Sequence, residues 1–356
     1  MAAQTVHFFR PVENGGVCSD PDRRPVKRLV AFTVGDFNGV GPEVALKAAL
    51  HPSVLRIARP ILVGPLDIFR HAARLFKCRV ELERAVFPAL TGKHLQVVDV
   101  GDGIWADVKF GAPTKSSGRS AGAAIERAVE LCVNGSVEAM VTAPTSKEAL
   151  HLAGYSFPGQ TEMVTLFSGS QKVIMMLVSP SLRVGLVTVH APLKDVPGLI
   201  SKEKIVEKIN LMLASLQRDF AVKKPALAML GLNPHAGEAG HIGSEELSVL
   251  QPALDAARTN GARIDGPFPA DAFFGTQAYK RYDGVLAMYH DQGLIPLKLL
   301  SFGKAVNVSC GLSIVRTSPD HGTAYDIAGK GKADASSMVE AVRTAVAIAK
   351  NRSSAA

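Results

Sequence analysis

Three histidines, His190, His235 and His290, each close a run of apolar or β-branched residues: GLVTVH, LAMLGLNPH and VLAMYH. They lie 45 and 55 residues apart, so no local spacing marks them as ligands. Their shared placement does, because ligands of open α/β sheets gather at the carboxyl ends of strands. Three imidazoles delivered to one edge would hold a divalent cation and leave a coordination position open. The plainer fate of any one of them is a loop histidine bonded to backbone. His7, His51, His71, His94, His151 and His241 follow no such strand and are read that way.

Other groups with chemistry cluster late in the chain. MYHDQGLIPLK (288–298) places His290, Asp291 and Lys298 around one turn, and Asn307, Arg316, Asp320 and His321 follow within 307–331. Arginine offers a planar fork and lysine a point charge, which suits a phosphate or carboxylate. GDFNGVGPE (35–43) puts three glycines into a strand-to-helix turn, a place where backbone N–H groups meet an anion or simply turn tightly. It is not a G-x-G-x-x-G run, so any nucleotide binds outside the standard Rossmann framework. In NPHAGEAGHIGSEE (233–246), Ser244, Glu245 and Glu246 fit helix capping and the macrodipole, which makes those acids structural.

The elements that carry these groups alternate. Residues 28–34, 60–64, 137–143, 182–189, 225–232 and 283–289 read as buried strands, and 42–50, 120–135, 202–220, 244–259 and 335–350 as amphipathic helices. Strand–helix alternation without hairpin signals predicts a three-layer α/β fold with a mostly parallel sheet. Residues 1–26 hold Pro11, Pro21 and Pro25, show no sustained period, and read as a flexible extension before a single unit spanning 27–356.

Composition narrows the function classes. The 356 residues are 47% hydrophobic and 20% charged, enough to bury a large core. The net charge of +8 forms no continuous stripe; one cluster, Arg23, Arg24, Lys27 and Arg28, sits at the end of the extension. With one Trp, five Tyr and no zinc-finger or RNP pattern, nucleic-acid binding is set aside in favour of a small anion. Cys18, Cys78, Cys132 and Cys310 include no C-x-x-C, and no apolar run approaches membrane-spanning length. A reducing cytoplasm is the expected setting.

The strings GDFNGVGPE, VTAPTSKEAL, GYSFPGQTE, VTVHAPL, GLNPHAGE, GPFPAD, MYHDQGLIPLK and RTSPDHGTAYDIAGKG run in the order of one family. From about Arg28 onward the chain resembles 4-hydroxythreonine-4-phosphate dehydrogenase, the PdxA family. The resemblance implies an isocitrate-dehydrogenase-like two-lobed fold and a homodimer with sites at the subunit interface. It makes His190, His235 and His290 the metal ligands, the third supplied by the partner subunit, and places Asp271 beside the metal. Thr161, Lys298, Asn307 and Arg316 match substrate-binding positions, and Gln160 stands where the family usually has His. The activity implied is oxidation of the 3-hydroxyl of 4-phosphooxy-L-threonine with NAD or NADP, followed by loss of CO2.

The bound metal would be Zn, Co, Ni, Mn or Mg, with Asp271, Asp291 and Lys298 as alternative general bases. Gln160, Phe37 and Ser313 depart from the family pattern and leave the substrate open. The alternative is a paralogous dehydrogenase for phosphorylated D-threonate or erythronate, or for a diol carboxylate. A metal hydrolase and a non-catalytic binding protein are the readings from other classes.

Overall fold

A computed structural model describes residues 27–87, 90, 94–101, 108–301 and 303–355; the expected extension 1–26 lies outside the described residues. The strands are β1 (Arg28–Thr33), β2 (Ala58–Val63), β3 (Leu82–Arg84), β4 (Leu95–Val98), β5 (Ala139–Val141) and β6 (Ile174–Val178). They continue with β7 (Arg183–Leu186), β8 (Leu227–Leu230), β9 (Ile264–Phe268), β10 (Gly284–Ala287), β11 (Val306–Cys310) and β12 (Arg316–Pro319). All join one sheet in the order β3-β4-β2-β1-β5-β12-β11-β6-β7-β10-β8-β9.

The six strands read from the sequence are present, and the helices hold with shifted ends. The helix expected from 120 starts at Lys115, because Thr114 and Ser117 form a reciprocal capping box. It stops at Asn134-Gly135 as read, with Gly135 at φ +74°. Helices cover both faces of the sheet. Along β12 the side chains alternate, Thr317 bonding Ala341 O in the helix Ser336–Ala355 while Arg316 reaches Gln160 in the helix Gln160–Phe167.

The α/β class with a mostly parallel sheet is confirmed, with one departure at its centre. The pairs β12–β11, β11–β6 and β6–β7 are antiparallel and the rest parallel. Two hairpins cause this. Ser179-Pro180-Ser181 turns β6 into β7, closed by Leu182 N donating to Ser179 Oγ at 3.1 Å. Gly311, at φ +95°, begins the connection from β11 to β12. Three successive reversals leave β7, β10, β8 and β9 running against β1, β2 and β5. The three histidine-bearing turns therefore share one sheet edge, while the glycine turn 35–43 sits at the opposite edge.

Two apolar clusters fill the interior. The larger lies around β1, β2, β5 and the helices packed on them. A smaller one gathers Leu186, Leu230, Phe273, Val285, Leu294 and Leu297 around β7, β10 and β8. Among the described residues Cys78, Cys132 and Cys310 are free thiols. No described helix is long and apolar enough to cross a membrane.

Candidate active site

A cavity of about 630 Å³ opens over the antiparallel middle of the sheet. Its floor follows from the period-two alternation of strands. Arg316 and Ser318 of β12, Asn307 of β11, Met175 of β6 and Leu186 of β7 all line it. One wall is the start of the helix Gln160–Phe167 with Lys147; the other holds His190, His290 and Lys298. Asp320 and His321, just beyond β12, close the remaining side.

Arg316 is the anchor of the floor. It is 3% exposed, and its guanidinium donates to Thr142 Oγ1 (2.7 and 3.2 Å), Ser309 Oγ (2.9 Å), Gln160 Oε1 (3.2 Å) and Thr161 Oγ1 (3.5 Å). Every one of these acceptors is neutral. Burial pulls its pKa down to about 10, against the field of Glu162. A buried cation held only by hydroxyls and an amide is stable in one place but short of counter-charge, which is what an anionic ligand supplies.

Gln160, read as a substrate contact, spends its amide on the protein. Its Oε1 accepts from Arg316 and its Nε2 donates to Ala143 O at 3.3 Å. Thr142 and Ser309, which the sequence reading did not select, complete the cradle. Their signal was available: Ser309 stands two residues after Asn307 on one strand face, and Thr142 lies within VTAPTSKEAL. Asn307 Oδ1 is buried without a partner, an acceptor awaiting a donor. Lys298 pairs with Asp320 at 3.3 Å.

The histidine turns are tied to one another. Thr188 donates through Oγ1 to Met288 O at 2.7 Å, joining the turn after β7 to the turn after β10. Gln292 accepts from Met288 N at 2.7 Å and donates to Gly231 O at 2.5 Å, joining the turn after β10 to that after β8. His190 and His290 come together, ring centroids 5.7 Å apart. His235 is exposed and does not line the cavity, and among the described residues no three His, Cys, Asp or Glu side chains assemble a metal cluster. Asp271 is likewise exposed, on the helix Ala270–Gly275, outside the cavity lining.

The histidine pair suits a cation. Asp291 Oδ1 lies 2.7 Å from His290 Nδ1, an arrangement that fixes the ring and leaves Nε2 free for coordination. This occupies Asp291 as an orienting group. Burial lowers the pKa of His190, helped by Lys147 and His290, so its ring stays neutral below the ordinary value of 6.5. An NMR titration is expected to place His190 below that value, and Lys147→Gln to move it back upward. A midpoint unmoved in the variant would show that Lys147 does not act on the ring.

The turn that carries His235 is bent against its chemistry. His235, Ala236, Glu238 and Ala239 have φ between +42° and +54°, with Gly237 among them at +80°. Left-handed backbone costs a residue with a Cβ roughly 1–2 kcal/mol. Ser244 O accepts the first bond of the next helix from Ser248 N at 2.9 Å. The structural role expected of Glu246 holds in another form: 3% exposed, it bonds back to the strained turn.

The glycine turn 35–43 directs amides into the protein. Asp36 N donates to Pro144 O (2.8 Å) and Val40 N to Thr323 O (2.9 Å), so its amides are spent on the protein. A Cβ at Gly35 would meet Pro144 O at 2.4 Å, and one at Gly39 would meet Thr323 O at 2.6 Å. Phe37 is 1% exposed within this turn, and Ser313 bonds to Ser168 and Ser170 away from the cavity. Of the three departures from the family strings, only Gln160 therefore touches the site.

Residues 56–345 match the model of pyridoxal phosphate biosynthetic protein PdxA. The chain belongs to the PdxA family. A 4-hydroxythreonine-4-phosphate dehydrogenase from Trichlorobacter lovleyi is 40% identical over 332 residues, covering 92% of this chain and 99% of its own. The crystal structure of a 4-hydroxythreonine-4-phosphate dehydrogenase from Klebsiella pneumoniae superposes with a TM-score of 0.82 at 36% identity, over 91% of this chain and 98% of that one. A terephthalate 1,2-cis-dihydrodiol dehydrogenase from Burkholderia xenovorans is more distant, at 27% identity and a TM-score of 0.61 over 90% and 98%. Within this PdxA member the strings that carried the resemblance surround the cavity, apart from the buried glycine turn and the flank holding His235 and Asp271.

Proposed function

We propose that this cavity oxidises the 3-hydroxyl of 4-phosphooxy-L-threonine with NAD or NADP, the product then losing CO2 to give 3-amino-2-oxopropyl phosphate for pyridoxal phosphate biosynthesis. The observation that carries the reading is Arg316, a buried guanidinium without a carboxylate partner, in one cavity with the His190–His290 pair. Arg316 and Lys298 bind the phosphate, with backbone N–H groups at the start of the helix Gln160–Phe167 beside them. Asn307 Oδ1 accepts from the substrate ammonium, its unpaired buried oxygen gaining the donor it lacks.

His190, His235 and His290 are the residues that would hold a divalent cation. Such a cation would stabilise a developing alkoxide and polarise the ketone that decarboxylates. Neutral imidazoles leave the cation most of its charge for that work. Of the three groups named as bases, Lys298 alone lines the cavity of one chain. A second copy would complete the three-histidine set: in one chain His190 lies beside His290, the imidazole that the resemblance assigns to the partner subunit, while His235 and Asp271 stay exposed. The helix His290–Ser301 exposes Ile295 and Leu299 (58% and 71%), four residues apart on one face, for such a copy to cover. The cavity exceeds the volume of one phosphorylated hydroxy acid, which leaves room for a nicotinamide ring.

The test is reduction of NAD and NADP by cation-loaded protein offered 4-phosphooxy-L-threonine, phosphorylated D-threonate and erythronate, and a diol carboxylate. Preferred turnover of the first supports the reading, and preference for a substrate without an amino group overturns it. Gln160→Ala frees one Arg316 contact, a hydrogen bond to a charged group worth roughly 1.5–3 kcal/mol. It is expected to raise KM about tenfold with kcat nearly kept. Loss of kcat at constant KM would refute a role in holding Arg316.

A further inference from the structure

The cationic side chains that line the cavity are Lys147, Lys204, Lys208, Lys298 and Arg316. All but one are already engaged. Lys204 donates to Leu199 O at 3.0 Å and Lys208 to Val173 O at 2.8 Å, with Glu207 3.3 Å from the second ammonium. Lys298 faces Asp320, and Arg316 sits among its neutral acceptors. Among the described residues Lys147 has neither a hydrogen bond nor an ion pair for its ammonium.

Local sequence and packing set where that ammonium lies. Ser146 Oγ accepts from Ala149 N at 3.2 Å, which makes Lys147 the first residue of the helix Lys147–Leu152. A cation there opposes the helix dipole, so helix formation does not account for it. The helix is seated closely on Lys115–Val133, where a Cβ at Gly118 would meet Ala149 O at 1.8 Å. From this base the lysine stem passes Gly159, whose Cβ would meet Lys147 Cε at 3.7 Å. Glu162 Oε2 borders the same glycine, yet no ion pair with Lys147 forms. Gly159 begins the helix Gln160–Phe167 and has no side chain to cap it. Arg316 reaches that same helix start through Gln160 Oε1 and Thr161 Oγ1.

We propose that Lys147 is a further substrate-binding residue, closing on the phosphate at the start of Gln160–Phe167 while Arg316 holds it from the floor. This rests on the reading of the cavity as a site for a phosphorylated hydroxy acid. A phosphate monoester carries roughly two negative charges at neutral pH. Arg316 supplies one positive charge, and Asp320 offsets that of Lys298. Lys147 supplies the second, and its donors reach the phosphate without breaking any bond in the free protein.

Lys147→Ala and Lys147→Arg are compared with the wild type in two measurements. The Lys147 side chain is exposed and makes no bond, so both variants are expected to fold. In the first, cation-loaded protein oxidises 4-phosphooxy-L-threonine or its unphosphorylated counterpart, 4-hydroxy-L-threonine. Lys147→Ala is expected to raise KM for the phosphorylated substrate roughly ten- to a hundredfold, the loss of one charge-assisted hydrogen bond. Turnover of the unphosphorylated substrate is expected to stay nearly unchanged, and Lys147→Arg to recover part of the loss. Equal losses on both substrates, or a loss confined to kcat, overturn the proposal, because they place the effect at His190, on whose ring Lys147 also acts. In the second measurement, chelated protein is melted with and without inorganic phosphate. Phosphate is expected to raise the melting temperature of the wild type more than that of Lys147→Ala. Equal shifts overturn the proposal. If the wild type reduces neither NAD nor NADP with any phosphorylated substrate, the reading of the site fails, and the phosphate shift alone decides whether Lys147 holds an anion.

Discussion

Arg316→Met is expected to lower kcat/KM for the phosphorylated substrate by roughly 10²–10³, while the melting temperature of the free protein holds or rises. The two halves of this result have separate physical causes. The guanidinium offers the phosphate charge-assisted hydrogen bonds worth roughly 1.5–3 kcal/mol each, and two such bonds lost give a factor of that order. The free protein meanwhile carries a desolvated cation whose hydrogen-bond acceptors among the described residues, Thr142, Thr161, Ser309 and Gln160, are all neutral. Replacing it with an apolar chain of similar length removes that burden. Arg316→Lys is expected to fail almost as badly, because one ammonium cannot span Thr142 and Ser309 as the planar fork does. Steady-state kinetics beside thermal unfolding checks both halves. A large fall in stability with kinetics preserved would make Arg316 a structural residue.

The second large effect belongs to the histidine pair. His290→Ala, or chelation of the wild-type protein, is expected to cost about 10³ or more in kcat/KM, about 4 kcal/mol of transition-state stabilisation. Added divalent cation should restore the chelated wild type and leave the variant inactive at the same concentration. His51→Ala is the control, since that ring caps a short helix through Ser53 and lies outside the cavity lining. Full turnover after exhaustive chelation would remove the cation from the reading.

Much of the scaffold was legible because its strands are buried on both faces. Continuous apolar runs such as LVAF in β1 and VLA in β10 have no other comfortable place, and the helices between them show their own period. The short strands β3, β4, β6, β9, β11 and β12 were not read. Two of them, VNVSC in β11 and RTSP in β12, carry mixed patterns because one face of each brings polar side chains to the cavity. The hairpin at Ser179-Pro180-Ser181 gave a turn signal that went unread beside the stronger strand–helix alternation.

The site divides in the same way. That His190, His235 and His290 terminate strands, and that Lys298, Asn307 and Arg316 are groups for an anion, is determined by residue type and by the apolar runs before them. Local sequence encodes what a side chain is able to do and which element delivers it. Only the tertiary structure decided that Arg316 is buried among neutral acceptors, that Gln160 serves it, and that Asp291 orients His290. It alone joined two of the histidines and left the third exposed on a turn of left-handed residues. These facts depend on which strands become neighbours and in which direction they run. Of the three antiparallel pairings at the centre of the sheet that set that direction, two are local hairpins, and the third, β11 against β6, joins residues more than a hundred positions apart in a way no local pattern records.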